Sequence, residues 1–140
     1  MTIVERVLLL QRVEVFGGVT TEQLSYIAMI AEEITARAGK VLYRENDAPD
    51  GLYVVISGTI AACRGGEVVD RIRTDGSFGV WALFDDRLRL TSAETEEDSR
   101  LLFVPREQFY EVLSNHVDIV QGLFKQLVQR LHQLATILEK

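Results

Sequence analysis

The apolar residues of this chain change their spacing twice. From Ile34 to Val104 they fall in short runs cut by Gly39, Gly51, Gly58 and the Gly65 and Gly66 pair, and on both sides of that stretch they recur at helical intervals. Short apolar runs bounded by turn residues mark strands, and recurrence at threes and fours marks helices. A chain patterned this way has to fold as helices, then β-structure, then helices. The β-type runs are "EITARAGKVLY", "GLYVVISGTIAAC", "GGEVVDRI", "LTSAET" and "RLLFV". In "LYVVI" both alternating faces are apolar, which predicts a central strand covered on each side. The paired glycines between two runs predict a hairpin turn. Strands this short and this regularly spaced predict a β-roll or sandwich.

Ahead of them, "TIVERVLLLQRV" has helical spacing at Ile3, Val7 and Leu10, and "TTEQLSYIAMIAEEI" opens with a capping-box pattern, Thr20 and Gln23, before Leu24, Ile27 and Ile30. Two short helices around the turn "FGG" follow from this. Beyond Pro105 comes "REQFYEVLSN", which Asn115 can end, and then a long helix to about Leu138. Along it Val117, Val120, Phe124, Leu127, Leu131, Leu134 and Leu138 step by alternating threes and fours, the spacing of a heptad seam. That stripe either packs on the chain's own β-structure or joins a second copy in a homodimer, and both readings stay open. With no repeat, no linker and only Pro49 and Pro105 as prolines, residues 1–140 read as one domain of helices (1–32), strands (33–104) and helices (106–138), long enough to bury an ordinary core.

Composition narrows the function. Apolar residues make up 47% of the chain and charged residues 26%, a globular balance. The net charge of -6 and the lack of a lysine and arginine cluster argue against nucleic-acid binding through a broad phosphate-tracking surface, though not against a single anion. "GLYVVISGTIAAC" is interrupted by Ser57, Gly58 and Thr59, so no membrane insertion is expected. Met1 to Leu10 reads as an amphipathic helix and not as a signal peptide. Cys63 is the lone cysteine, which fits a reducing, cytoplasmic setting and leaves it a small buried or half-buried side chain. His116 and His132 have no cysteine or carboxylate at ligand spacing, so no metal is expected. No nucleophile and base constellation points to an enzyme.

The chemistry concentrates in "SFGVWALFDDRLRLTSA", Ser77 to Ala93. Gly79 lets backbone approach a ligand closely, and "VWALF" can form a short helix whose first amides face an anion. Arg89 supplies a planar fork suited to phosphate oxygens, and Thr91 and Ser92 can add donors. Arg89 has a second reading, as a turn residue paired with Asp85 or Asp86. Trp81 has two readings, a core side chain, which is preferred, and a platform on which a flat ring stacks.

These residues resemble the cyclic nucleotide-binding domain shared by the catabolite activator protein, kinase regulatory subunits and nucleotide-gated channels. "AGKVLYRENDAPDGLYVVISGTI" is similar to that family's opening strands, and "FGVWALFDDRLRLTSA" aligns without gaps with its phosphate-binding cassette. "VERVLLLQRVEVFGGVTTEQLSYIA" resembles versions attached to larger bacterial proteins. The resemblance implies a fold that is α+β and mainly β, a jelly-roll-like β-roll flanked by N-terminal helices and a C-terminal hinge and lid helix pair. It implies a regulatory module that binds cAMP, cGMP or a related small anionic effector in the 78–92 cassette, through Phe78, Gly79, Val80, Trp81, Ala82, Leu83, Arg89, Leu90, Thr91 and Ser92. It also implies that the C-terminal helices carry the signal to an effector domain outside this chain. Phe109, Tyr110 and Leu113 are placed to feel the cassette, and Gln129, Gln133 and Thr136 to meet a base. DNA binding by this chain is not expected, because an activator of this type carries a basic helix-turn-helix after the long helix and the sequence stops at Lys140. The chain departs from the family at Val80, where a glutamate accepts the ribose hydroxyl and a valine offers only methyl groups, and at Leu90, bulkier than the usual residue. Three outcomes follow for the cassette: a cyclic nucleotide, a different anion, or a degenerate module that binds no nucleotide and serves in structure and dimerisation.

Overall fold

The computed structural model of the protein describes residues 1–138. Two helices open it, α1 (Ile3–Leu10) and α2 (Thr21–Ile30). The capping box is formed: Gln23 N donates to Thr20 Oγ1 at 3.2 Å and Thr20 N donates to Gln23 Oε1 at 3.0 Å, satisfying two amides that a helix start leaves unpaired. Val7 and Leu10 are buried as their spacing predicts, whereas Ile3 is exposed and Leu9 takes its place inside. Arg6 closes the far end of α2, its Nη1 donating to the carbonyls of Ala28 and Ala31 at 3.1 and 2.7 Å.

Eight strands follow: β1 (Glu32–Ala36), β2 (Val41–Tyr43), β3 (Gly51–Ser57), β4 (Thr59–Arg64), β5 (Glu67–Arg73), β6 (Ser77–Phe78), β7 (Ser92–Thr95) and β8 (Ser99–Pro105). All pairs are antiparallel, in two four-stranded sheets ordered β1-β8-β3-β6 and β2-β7-β4-β5. With the helices around them they form an α+β, mainly β, jelly-roll-like β-roll. The Gly65–Gly66 turn joins β4 to β5 as the paired glycines predict.

Strand β3 is central and buried on both faces, and the alternation of its side chains divides the core in two. Leu52 and Val54, with Leu102 and Val104 of β8, pack against Leu10, Phe16, Leu24 and Ile27 on the helix side. Tyr53 and Val55, with Leu101, pack against Ile60, Ile72 and Ala93 of the second sheet. Two helices close the chain, α3 (Arg106–Asn115) and α4 (Val117–Leu138). His116 ends α3 and stacks on Tyr26 with ring centroids 3.8 Å apart.

Only the first turns of α4 lie on the body of the protein, through Ile119, Gly122 and Leu123. There its backbone meets that of the "FGG" turn so closely that a Cβ on Gly122 would overlap the Gly18 carbonyl oxygen. Gln126 Nε2 donates to Glu14 O at 3.0 Å and Arg130 pairs with Glu14 at 2.6 Å. Val117, Phe124, Leu127, Leu131, Leu134 and Leu138 of the predicted seam are exposed, so this stripe does not pack on the chain's own strands. Among the described residues no helix is long and apolar enough to cross a membrane.

Candidate ligand-binding site

The 78–92 loop is shaped by one left-handed residue and one buried cation. Gly79 sits at φ +77, and a Cβ there would stand 2.5 Å from Arg89 Nη1 and 3.3 Å from Gly51 O. Only glycine takes this backbone at little cost and leaves room for the guanidinium. Val80–Leu83 then forms a single 3-10 turn. At three residues per turn, positions three apart share a face. Val80 and Leu83 therefore both point inward, Leu83 fully buried and Val80 packed on the helix-side core.

The same geometry corrects the reading of Trp81 as a core residue. It points outward from the turn and is 67% exposed.

Arg89 is 7% exposed. Its backbone is held by the turn before β3, with Arg89 N donating to Asp47 O and Asn46 N donating to Arg89 O, each at 2.8 Å. Its Nη2 donates to Asp50 Oδ1 and, at 2.9 Å, to Gly51 O, and its Nη1 reaches Gly79 O at 3.4 Å. The guanidinium lies over the Tyr43 ring, 4.0 Å from its centroid. The expected partners Asp85 and Asp86 belong elsewhere: Asp86 pairs with Arg106, and the Asp85 carboxylate accepts from Arg87 N. Arg89 Nε is buried with no acceptor among the described residues. A buried guanidinium nitrogen left unpaired is costly, and Nε is the one nitrogen of this fork that makes no bond.

Burial raises the Tyr43 phenol above its ordinary value, against the pull of the Arg89 charge, and burial followed by the Asp50 charge raises Tyr53 further. Tyr53 also donates to Asp50 Oδ2 at 3.3 Å and stacks on Phe78 at 5.0 Å.

A cavity of about 410 Å³ opens beside Arg89, lined by Tyr43, Pro49, Gly79, Trp81, Ala82, Asp85, Arg87, Leu88, Arg89, Leu90 and Thr91. Of the ten residues expected at the site, Gly79, Trp81, Ala82, Arg89, Leu90 and Thr91 line it. The other four do not: Phe78 and Leu83 are buried in the two cores, Val80 packs inward, and Ser92 Oγ turns to Cys63 O at 3.4 Å. Sequence reasoning missed Tyr43, Pro49, Asp85, Arg87 and Leu88, which line the cavity, and Asp50, which pairs with Arg89. A larger cavity of about 490 Å³ lies away from the loop, between α1 and the β3 end, and holds none of these residues.

The loop is also tied to α3. Arg106 N donates to Asp50 O at 3.0 Å, while its Nη1 donates to the carbonyls of Ala82, at 3.2 Å, and Asp85. Phe109 meets Phe84 edge-on at 6.0 Å. Of the expected hinge face, Phe109 is buried and Leu113 packs on the helix-side core, while Tyr110 is partly exposed beneath Arg106. The polar groups expected to meet a base lie on the exposed part of α4, with Thr136 Oγ1 bonded back to His132 O. No group of three or more His, Cys, Asp or Glu gathers as a metal site among the described residues.

Comparison with known proteins agrees with this architecture. The CRP-like cAMP-activated global transcriptional regulator of Mycobacterium tuberculosis is 24% identical over 130 residues, 89% of this chain and 58% of that protein. Lysophospholipase nte1 of Emericella nidulans is 24% identical over 122 residues, 84% of this chain but 8% of the fungal protein. The chain thus spans less than two thirds of either relative. The N-terminal domain of a transcriptional regulator from Streptomyces coelicolor A3(2) superposes with a TM-score of 0.82 at 22% identity, covering 90% of this chain and 94% of that one, and shares its fold. Residues 33–116, more than half of the sequence, match the family described as the cyclic nucleotide-binding domain, and the chain belongs to that family.

Proposed function

We propose that the protein is a regulatory module that captures a small organic anion, cAMP or cGMP among the candidates, in the Arg89 cavity and passes the event to α3 and α4. The observation that carries this reading is Arg89: a buried fork beside an open cavity, with Nε left without an acceptor. Guanidinium forks favour phosphate geometry, and burial strengthens any charge pair they make. Arg106 supports the signalling half, since one residue at the start of α3 bonds to both the Asp50 turn and the carbonyls that end the cassette turn. The exposed stripe on α4 supports a homodimer, and an effector domain outside this chain would receive the signal.

A second reading keeps the fold as a structural module that binds no nucleotide. Two observations favour it. Asp50 already pairs with Arg89, and Val80 faces the core where the family's glutamate would serve a sugar.

A thermal-shift panel of cAMP, cGMP and inorganic phosphate decides between them. A ligand at 100 times its dissociation constant adds about 2.7 kcal/mol of stability. A melting shift with a nucleotide that Arg89→Gln abolishes supports capture in the cavity, and no shift with any of the three supports the structural module.

A further inference from the structure

Arg89 is a cation that its own loop does not hold. Val80 faces the core, Asp86 pairs with Arg106, and the Asp85 carboxylate accepts from Arg87 N. Apart from a long contact to Gly79 O, what fixes the guanidinium comes from other segments. Asp50 and Gly51 meet it at the edge, and Tyr43 of β2 meets it on the face, 4.0 Å from the ring centroid. The two kinds of contact constrain different motions. The donors of a guanidinium lie in one plane, so acceptors at the edge fix how far that plane reaches, and a ring on its face fixes how it is tilted.

The Tyr43 ring is itself held in place. It is buried, with Tyr53 at 6.0 Å and Phe78 at 6.2 Å, and Tyr53 in turn stacks on Phe78 at 5.0 Å and packs on Phe103 at 4.7 Å. Its backbone pairs with Ala93 of β7, the strand that starts just after Arg89. A ring wedged among others in a close-packed core does not turn aside when an anion pulls on the guanidinium. Tyr43 and Arg89 both line the cavity, so the stacked pair forms part of its wall.

We propose that Tyr43 is a positioning residue for anion capture: its ring, and not its hydroxyl, holds the Arg89 plane at the tilt in which an incoming oxygen meets the donors edge-on. The inference rests on the anion reading above and acts through Arg89, with no need for the ring to touch the ligand. Attraction between a guanidinium and an aromatic face is worth about 2- to 30-fold in an equilibrium, more where water is excluded. That factor bounds the loss when the ring is removed.

Calorimetry with cyclic AMP and with inorganic phosphate would compare the parent with Tyr43→Phe, which keeps the ring, and with Tyr43→Leu and Tyr43→Met, which remove it. Ile72→Ala, a β5 change in the same core, serves as a destabilised control, and melting curves on each protein separate lost stability from lost capture. Tyr43→Phe should bind both anions as the parent does. Ile72→Ala should melt lower and still bind, whereas the ring-free variants should bind about 2- to 30-fold more weakly. Unchanged affinity in a folded ring-free variant, or a loss in Tyr43→Phe, would overturn the role of the ring while leaving the Arg89 reading in place. The ring should also shift the Arg89 Nε proton resonance upfield in the parent and in Tyr43→Phe; an unshifted resonance refutes the proposal whether or not the ring-free variants fold. If the parent binds neither anion, or Arg89→Gln binds both as the parent does, the anion reading falls and this inference with it.

Discussion

Replacing Gly122 by alanine sets two known effects against each other. In an exposed helix interior the change stabilises by about 1 kcal/mol, because glycine is the poorer helix former. In α4 the new Cβ would overlap the Gly18 carbonyl oxygen and stand 3.0 Å from its carbonyl carbon and 3.4 Å from Val19 Cα. Neither backbone can turn aside as a flexible side chain would. The helix has to lift, and Ile119 and Leu123, which are buried on either side of the contact, lift with it. Overpacking typically costs about 1–3 kcal/mol. Losing a third of the burial of two such side chains costs about 1–2 kcal/mol more. Set against the propensity gain, Gly122→Ala should destabilise by about 1–4 kcal/mol, a fall in Tm of several degrees. Circular-dichroism melts would compare it with Gln121→Ala, an exposed position on the same turn that should move little. A Gly122→Ala protein that melts higher than the parent would refute the close approach and with it the seating of α4 on the "FGG" turn.

Further outcomes follow from the same geometry. Sequence reasoning expects Arg89→Ala to leave the fold untouched as a loop change. The structure buries Arg89 instead, so removing it strands the Gly51 carbonyl and should cost about 1–3 kcal/mol in denaturant unfolding; an unchanged midpoint would contradict its burial. Tyr43 and Tyr53 have raised phenol values, so the neutral form is favoured in the folded protein. Their contribution is complete below about pH 10 and is lost as pH rises through the raised values. A spectrophotometric titration should find Tyr43 and Tyr53 ionising late, together with unfolding, and their ionisation near pH 10 in the folded protein would overturn this. Light scattering should give the mass of two chains at high micromolar concentration, falling to one in Leu127→Asp with Leu131→Asp; a parent already at one chain refutes the α4 seam.

Local order was legible where a few neighbouring residues decide it. Thr20 and Gln23 announce the start of α2, Gly65 and Gly66 the β4 to β5 hairpin, and "LYVVI" the strand buried on both faces. The loop around Gly79 and Arg89 was legible for the same reason, since left-handed backbone and a forked cation leave a mark in sequence. What escaped depends on contacts between distant segments. Asp50 lies 39 residues from Arg89, and nothing in "NDAPDG" marks it as the counter-ion. Trp81 reads as core because the matching position of the resembling family is apolar and buried, and only the three-residue period of the turn shows that Val80 and Leu83 take the interior and leave the indole outside. The two-residue β6 is too short to carry a pattern. Nothing around Gly122 in the sequence marks it as the place where two backbones meet. The α4 stripe has the same spacing whether it faces its own strands or another chain, so its exposure had to be seen.

The central claim is that Arg89 and its cavity form an anion-capturing site. Calorimetric titration of the protein with cyclic AMP, run in parallel on Arg89→Lys, tests it most directly. Lysine keeps the charge and loses the planar fork, so one compact ammonium replaces donors that are spread over three nitrogens. The account predicts measurable saturable binding to the parent at a stoichiometry of one per chain, and a loss of about tenfold or more in Arg89→Lys, since a hydrogen bond to a charged group is worth about 1.5–3 kcal/mol. Equal affinity in the two proteins, or no binding to the parent, would contradict it.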